Sequence, residues 1–320
     1  MDHLTPIVTV VIPTFNRPSL LIRAVESVIR QTFQNLEVVV IIDGSDPATT
    51  EALDRVGDPR LRYIELTQKV GGSEARNIGA REAKGYWIAL LDDDDEWLPN
   101  KLEKQLELVQ SAKSESLLVT SQYICRASDA PDVVRPRRLP KSGEVVSEFM
   151  FDYLCYFQTS TFLCSRQLFL KVPFDRSLPF FQDIDWFLRI SHEADFQLLV
   201  VAEPLSIYYM PAGRASITSA TNWKSRLQWG RSRRHLLSKR AYSHFIVGTC
   251  VGRAVQDGAG VKGFTTLLYE AVVVGSATPS LVALLCGGYI LAPKYRQQLR
   301  DMLFFTKAKE LPTDRTSDVA

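Results

Sequence analysis

The apolar run Tyr86-Trp87-Ile88-Ala89-Leu90-Leu91 passes directly into four consecutive aspartates, Asp92 to Asp95. A run of this kind reads as a buried strand. Aspartates are poor strand formers, so the four carboxylates belong where a core strand ends and a loop begins. Adjacent carboxylates repel one another at neutral pH, and holding them at the mouth of a core strand costs stability unless a cation sits among them. A hard divalent cation, Mg²⁺ or Mn²⁺, itself carrying phosphates, would offset that repulsion. An acidic run between polar segments is an ordinary solvated loop. Here the flanks are an apolar strand and Trp97-Leu98-Pro99, which favours the cation.

The surrounding pattern extends the constraint. Ile7 to Ile12 is a continuous, largely β-branched run expected to be a buried strand ended by Pro13. Pro18 suits a first helical position, and Leu21, Val25, Val28 and Thr32 recur at helical spacing. Leu36 to Ile42 predicts a second strand closed by Asp43-Gly44-Ser45, followed by a short helix around Thr49 to Arg55 and a third strand from Leu61 to Leu66. Ser73 is placed to cap a helix running to about Lys84, whose face of Ala75, Ile78, Gly79 and Ala83 is small enough for close packing. Pro99 opens a further helix with Leu102, Leu106 and Val109 on one side. Alternating β and α elements predict an α/β fold with a doubly wound, parallel sheet, and ligands in such sheets bind beyond the carboxyl ends of the strands. Thr14, Asp43 and Asp92 to Asp95 would then share one rim.

Residues 117 to 210 are less regular and richer in aromatics, with Ala130 to Gly143 expected as a surface loop. Residues 222 to 305 read as mostly helical, and Thr306 to Ala320 as a polar, frayed tail. The expected organisation is a catalytic α/β domain over 1–220, a helical extension over 221–305 and the tail 306–320. No internal repeat is visible.

A net charge of +2 hides an uneven distribution. Between Glu203 and Asp257 there is no acid but nine Lys and Arg, leaving 29 basic against 36 acidic residues elsewhere. One basic segment in a near-neutral chain predicts a local anionic partner and no general nucleic-acid binding. The cysteines Cys125, Cys155, Cys164, Cys250 and Cys286 are widely spaced and odd in number, which reads as buried thiols in a reducing compartment. No secretion signal is apparent at Met1 to Pro6, and the apolar run Pro279 to Pro293 is too short to span a bilayer simply. The expected location is cytoplasmic, with peripheral attachment to the inner face of the membrane left open.

Each polar motif is ambiguous alone. Pro13-Thr14-Phe15-Asn16-Arg17-Pro18 is compatible with a plain strand-to-helix turn, and Asp43-Gly44-Ser45 with an ordinary turn. A carboxylate at 43 could also accept from a base N–H while Gly44 allows close backbone approach. Gly71-Gly72-Ser73-Glu74-Ala75-Arg76-Asn77 is either a flexible loop with a helix cap or a helix N-terminus and an arginine near a diphosphate.

Their order and spacing are less ambiguous. Ile12-Pro13-Thr14-Phe15-Asn16-Arg17, then Asp43-Gly44-Ser45, then Gly71 to Gly79, then Leu91-Asp92-Asp93-Asp94-Asp95 with Trp97 and Pro99 resembles glycosyltransferase family 2, strongly over residues 7 to 110 and more weakly to 218. The resemblance implies the GT-A fold, a Rossmann-like, mostly parallel sheet flanked by helices, and sugar transfer from a nucleotide-diphosphate donor, usually a UDP-sugar. It implies donor contacts from Pro13, Thr14, Asn16, Arg17, Asp43, Arg76, Asp92 and Asp93. Asp92-Asp93-Asp94 matches the Asp-X-Asp motif, with Asp94 as first choice for a ligand to Mg²⁺ or Mn²⁺ and Asp92 and Asp95 as further metal candidates. Ile42 stands where many members have another Asp.

Phe181-Gln182-Asp183-Ile184-Asp185-Trp186 resembles the family's Glu-Asp segment, implying Asp183 as the catalytic base although Gln182 replaces the usual Glu. The simpler reading makes Asp183 a helix N-cap and Asp185 a dipole partner. Tyr208 to Thr218 resembles a loop that closes over the donor, with Arg214 near the diphosphate, or is an exposed Gly-containing loop. The implied acceptor is a hydroxyl on a glycan or lipid-linked glycan in cell-surface polysaccharide or glycolipid synthesis. Trp223, Leu227, Trp229, Leu236 and Leu237 among the cations of residues 222 to 240 would suit an anionic membrane surface, a solvated basic helix or a subunit interface. A sugar nucleotidyltransferase shares a similar sheet but needs a Gly-rich, basic N-terminal loop that Pro13 to Arg17 does not provide. A non-catalytic nucleotide-sugar binding module would not need the intact Asp92, Asp94 and Asp183.

Overall fold

The computed structural model describes residues 5–110, 112, 114, 116–152, 155–210, 221–291, 295–296, 298–299 and 302–303. Four parallel strands, β1 (Val8–Thr14), β2 (Leu36–Ile42), β3 (Leu61–Glu65) and β4 (Trp87–Leu90), lie in the order β3-β2-β1-β4. Every residue of β1, β2 and β4 is buried, as both-face coverage by helices requires of a central parallel strand. Strand β1 continues through Pro13 rather than stopping before it. Its pairing with β4 ends at Val11, so the side that Pro13 leaves without an N–H needs no ladder bond.

Side chains alternate across β1. Val8, Val10 and Ile12 pack with Leu21, Ala24, Val25 and Val28 of α1 (Pro18–Ile29), with Leu53 of α2 (Pro47–Asp54) in the same cluster. On the other face, Val39 and Ile41 meet Ala75 and Ile78 of α3 (Gly72–Glu82). There a Cβ on Gly79 would overlap a γ-methyl of Val11. Gly79→Ala is therefore expected to destabilise the chain. Overpacking costs about 1–3 kcal/mol and outweighs the gain of at most about 1 kcal/mol in helix propensity. Urea denaturation measures the difference.

The expected cap Ser73 is not one. Helix α3 begins at Gly72, and the preceding Gly71 has φ 86°, a left-handed conformation that glycine adopts at little cost.

The sheet then becomes mixed. Strand β5 (Glu96–Trp97) and α4 (Lys101–Val109) follow, then the long β6 (Leu117–Ala127), β7 (Ala130–Arg135), α5 (Val146–Phe151), the three-residue β8 (Leu163–Ser165), α6 (Arg166–Lys171), α7 (Gln182–Ile190) and β9 (Gln197–Met210). Among the described residues the sheet has nine strands, in the order β3-β2-β1-β4-β8-β6-β9-β5, with β7 paired on β6. Strand β8 is antiparallel to both its neighbours, β4 and β6, while β6 and β9 run parallel. The expectation of a surface loop over 130–143 is corrected: its first part is β7, a hairpin partner of β6.

Helix α7 is fixed by aromatic packing. Trp186 stacks on Phe174 with centroids 5.0 Å apart, and its Nε1 donates to Val172 O at 2.7 Å.

The chain divides into one unit of residues 1–150 and 154–220 and a second of 151–153 and 221–320. In the second, α8 (Trp223–Ser232) and α9 (Lys239–Phe245) are capped by Asn222 and Ser238. A π-helical turn Ile246–Val251 leads into α10 (Gly252–Gln256). Then come α11 (Gly260–Tyr269), a second π-turn Glu270–Val274, and α12 (Pro279–Ile290), capped by Thr278. Trp223 and Trp229 are only 9% and 4% exposed, and Trp229 packs on Phe245 at 5.1 Å. The expectation that these tryptophans meet a membrane is thereby corrected: they form the core of their own unit. Among the described residues, no helix is long and apolar enough to cross a membrane. The five cysteines are free thiols, three of them buried.

Candidate active site

Beyond the carboxyl ends of β1 and β4 lies a cavity of about 600 Å³, lined by residues from both halves of the first unit. Pro13, Thr14, Arg17, Asp43, Arg76, Asp92, Asp93, Asp94 and Asp183 all line it. Strand ends supply Pro13, Thr14, Asp43 and the aspartates, the turn before α1 supplies Arg17, and α3 and α7 supply Arg76 and Asp183.

The carboxylate repulsion anticipated in the sequence is largely met by the protein itself. Arg17 places Nη2 2.8 Å from Asp93 Oδ1 and Nη1 3.0 Å from Asp94 Oδ2, and Arg76 pairs with Asp92. The Thr14 hydroxyl donates to Asp93 Oδ2 at 2.7 Å. Burial nevertheless pushes the Asp93 carboxyl up to about 6, against the pull of Arg17 and Thr14.

Asp95 faces away. It is 1% exposed, does not line the cavity, and accepts from Gln158 Nε2 and from Ser160 Oγ at 2.6 Å. Burial, with Asp92's charge adding, raises its pKa. Asp95 thus ties the aspartate turn to the Gln158–Ser160 segment, which corrects its candidacy as a metal ligand. The same segment holds the turn from its other side, because the Asp92 amide donates to Ser160 Oγ at 3.0 Å.

Asn16 does not line the cavity either. At φ 53° it makes the left-handed turn out of β1, and its N–H donates to Asp46 Oδ2 at 3.0 Å. Asp43 does reach the wall, but both its oxygens also accept from backbone, Val70 N at 2.6 Å and Gly71 N at 3.0 Å. It holds the loop that starts α3 and keeps one further lone pair on each oxygen for a ligand. Arg214 lies outside the described residues.

Asp183 is the second residue of α7, so it is not the N-cap. That position belongs to Phe181, at φ 54° and without a side-chain cap bond. A bulky residue in the left-handed region is strained backbone, and here it turns the chain so that α7 starts in the cavity wall. The carboxylate accepts from Ile184 N at 2.9 Å and from Thr159 Oγ1 at 3.4 Å. Burial pushes its pKa up to about 6, opposed by the Ile184 amide and by Arg76. Asp185 is fully buried and pairs with Arg189 at 2.7 Å, a structural role. Gln182 turns back to donate to Leu178 O at 2.8 Å.

Among the described residues, no group of three or more Asp, Glu, His or Cys could hold a metal alone. Asp92 and Asp94 both open on the cavity, with side chains 24% and 29% exposed. Mg²⁺ characteristically takes one or two carboxylates and completes its shell with water and phosphate, so this donor set fits such an ion arriving with a diphosphate.

The sequence reading missed the cavity's apolar wall. Phe180 and Phe181 precede α7, and Tyr208, Tyr209 and Met210 end β9. Tyr209 also takes Arg23 over its ring at 3.8 Å and donates to Glu96 Oε2 at 2.8 Å. The β6–β9 pairing brings Tyr208, Tyr209 and Met210 to the site, whereas Phe180 and Phe181 come with the turn into α7, and neither group shows a periodicity in the sequence.

A family model for Glycosyl transferase family 2 matches residues 9–175. WcaA of Escherichia coli K12, a glycosyl transferase named for colanic acid biosynthesis, is 30% identical over 67% of this chain and 76% of its own length. The amylovoran biosynthesis glycosyltransferase AmsB of Erwinia amylovora is 26% identical over 74% and 81%. Among solved structures, residues 1–349 of S. aureus TarS, in complex with UDP-GlcNAc, superpose with a TM-score of 0.63 at 15% identity over 92% of this chain and 91% of that one. The mannosyltransferase PcManGT of Pyrobaculum calidifontis, in complex with GDP-Man and Mn²⁺, gives 0.53 at 17% identity over 93% and 84%.

Proposed function

Since the chain belongs to glycosyltransferase family 2, we propose that its cavity transfers a sugar, with inversion, from a nucleotide-diphosphate donor of the UDP-sugar type to a hydroxyl of a glycan or lipid-linked glycan. The observation that carries this reading is that Asp183 stands in the wall of the same cavity as Asp92, Asp93 and Asp94. A lone carboxylate base opposite a cation-and-phosphate site suits a single displacement at the anomeric carbon. Relatives named for colanic acid and amylovoran biosynthesis favour a polysaccharide product. Solved neighbours of the same fold that hold UDP-GlcNAc, or GDP-Man with Mn²⁺, are compatible with the donor class.

The roles implied by the resemblance are compatible with these positions. Thr14 and Asp43, at the ends of adjacent strands, would contact the nucleoside, with Pro13 beside Thr14. Arg76, at the start of α3, supplies positive charge for the diphosphate, and Arg17 holds Asp93 and Asp94 in register. Asp94 and Asp92 would hold Mg²⁺ or Mn²⁺, which when bound supplies charge neutralisation for the leaving nucleoside diphosphate. Asp183 takes the proton of the acceptor hydroxyl as that oxygen forms its bond to the anomeric carbon and the phosphate oxygen leaves. The aromatic wall of Phe180, Phe181, Tyr208 and Tyr209 limits water at that carbon.

The pH dependence has a definite sign. A carboxyl whose pKa is raised to about 6 is protonated, and so unable to accept a proton, below that pH. Nucleoside diphosphate release from a nucleotide sugar in the presence of acceptor is expected to be flat above pH 7. Below pH 6, kcat/KM should fall about tenfold per pH unit. A profile flat down to pH 4.5 would remove Asp183 as the base.

A further inference from the structure

We propose that the exposed apolar face of α11 and the π-turn that follows it is a docking surface for an anionic lipid bilayer. The proposal concerns the second unit alone and does not rest on the transfer reading. Val261, Tyr269, Val272 and Val273 are 79%, 56%, 44% and 62% exposed. In α11, residues 261, 265, 268 and 269 share one face at helical spacing. A continuing α-helix would rotate Val273 away from that face. The wider π-turn Glu270–Val274 slows the rotation, so both Val272 and Val273 extend the stripe. The opposite side of the same segment is anchored inward. Glu270 is 3% exposed, accepts from Tyr242 OH at 2.6 Å and pairs with Arg231, and Ser243 Oγ donates to Ala271 O at 2.7 Å. The valines are therefore held outward by a fixed core.

Charge selects the occupant. Residues 221–291 contain nine Lys and Arg against two acids, Asp257 and Glu270. Both acids are engaged, Glu270 as above and Asp257 with Arg253 and the Trp223 amide. Four of the nine lie on segments that meet an end of the stripe. Arg231 meets Glu270, Arg234 donates to Val274 O at 3.4 Å, and Lys239 O lies 3.2 Å from where a Cβ on Gly275 would stand. Lys262 is exposed at the other end. An apolar strip with a tyrosine, flanked by cations and with both carboxylates of residues 221–291 engaged, matches a leaflet of acyl chains under anionic headgroups.

The test is sedimentation of the full chain with vesicles of phosphatidylcholine alone or mixed with phosphatidylglycerol. Binding is expected only to the mixed vesicles and to fall steeply as salt is raised. The paired change Val272→Asp and Val273→Asp is expected to lower binding at least about tenfold, because it puts charge into the apolar contact. Lys239→Glu with Lys262→Glu should lower it about as much. All four side chains are exposed, so melting temperature and nucleoside diphosphate release should stay at the parent values. If a variant fails to fold, Tyr269→Ser tests the same face. No binding at low salt, equal binding to neutral vesicles, or variants that bind like the parent would overturn the proposal. So would a dimer in solution that the valine changes dissociate, which would assign the face to a second copy.

Discussion

Asp183→Asn is expected to leave nucleotide binding intact and to lower sugar transfer by about 10²- to 10⁴-fold, the range associated with loss of a general base. The amide has the same size and keeps an oxygen for the Ile184 N–H that Asp183 now accepts at 2.9 Å. It cannot take up a proton. The donor side should be little disturbed, because Arg76 retains its ion pair with Asp92. Two titrations separate the outcomes. Nucleoside diphosphate binding with divalent metal should match the parent, while release of nucleoside diphosphate in the presence of acceptor should nearly vanish. Full transfer would take Asp183 out of the mechanism, and lost binding would make it part of the donor pocket instead.

The second large effect is expected at Asp94. Asp94→Ala should weaken metal-dependent binding of a nucleoside diphosphate by at least about tenfold, a loss that even outer-shell partners of metal sites produce. Binding in EDTA should change little, because Arg76 and the strand-end contacts remain. Asp95→Ala provides the contrast. Asp95 lies 1% exposed behind the cavity, bound to Ser160 and Gln158, so its removal leaves two buried polar groups short of a partner. That change should cost about 1–3 kcal/mol of stability and spare the metal response of the folded fraction. Equal titrations of the Asp94→Ala chain with Mn²⁺ and parent with Mn²⁺ would remove Asp94 from the metal site.

These two neighbouring aspartates show where sequence reasoning reaches its limit. The run Asp92 to Asp95 marked a strand end beside a cation and phosphate site, and its placement at the rim with Thr14 and Asp43 follows from strand order alone. The sequence could not divide the four roles, because the division depends on which side chain meets Ser160, some 65 residues away. Strands β1, β2 and β4 were legible because central parallel strands are buried on both faces and read as unbroken apolar runs. Strands β6 and β9 were not. Each mixes polar and apolar residues, β9 contains Pro204, and the β6–β9 register breaks between Ser121 and Gln122, just before the Gln122–Pro204 pair. Three-residue β8 is too short for any pattern. Tyr208, Tyr209 and Met210 of the apolar wall end β9, so their place in the site was not legible either. Trp223 and Trp229 failed differently. Next to cations they resembled an interface, but packing inside their own helical unit buried them.

The most direct test of the central claim is the stereochemistry of transfer. With an α-linked nucleotide sugar as donor and methanol as a surrogate acceptor, the methyl glycoside locks the anomer that the enzyme forms, and proton NMR reads it. A single displacement assisted by Asp183 predicts the β-glycoside, formed by the parent chain and nearly absent with Asp183→Asn. An α-glycoside would contradict the account, since retention requires either a second displacement or a front-face path that this one carboxylate does not provide.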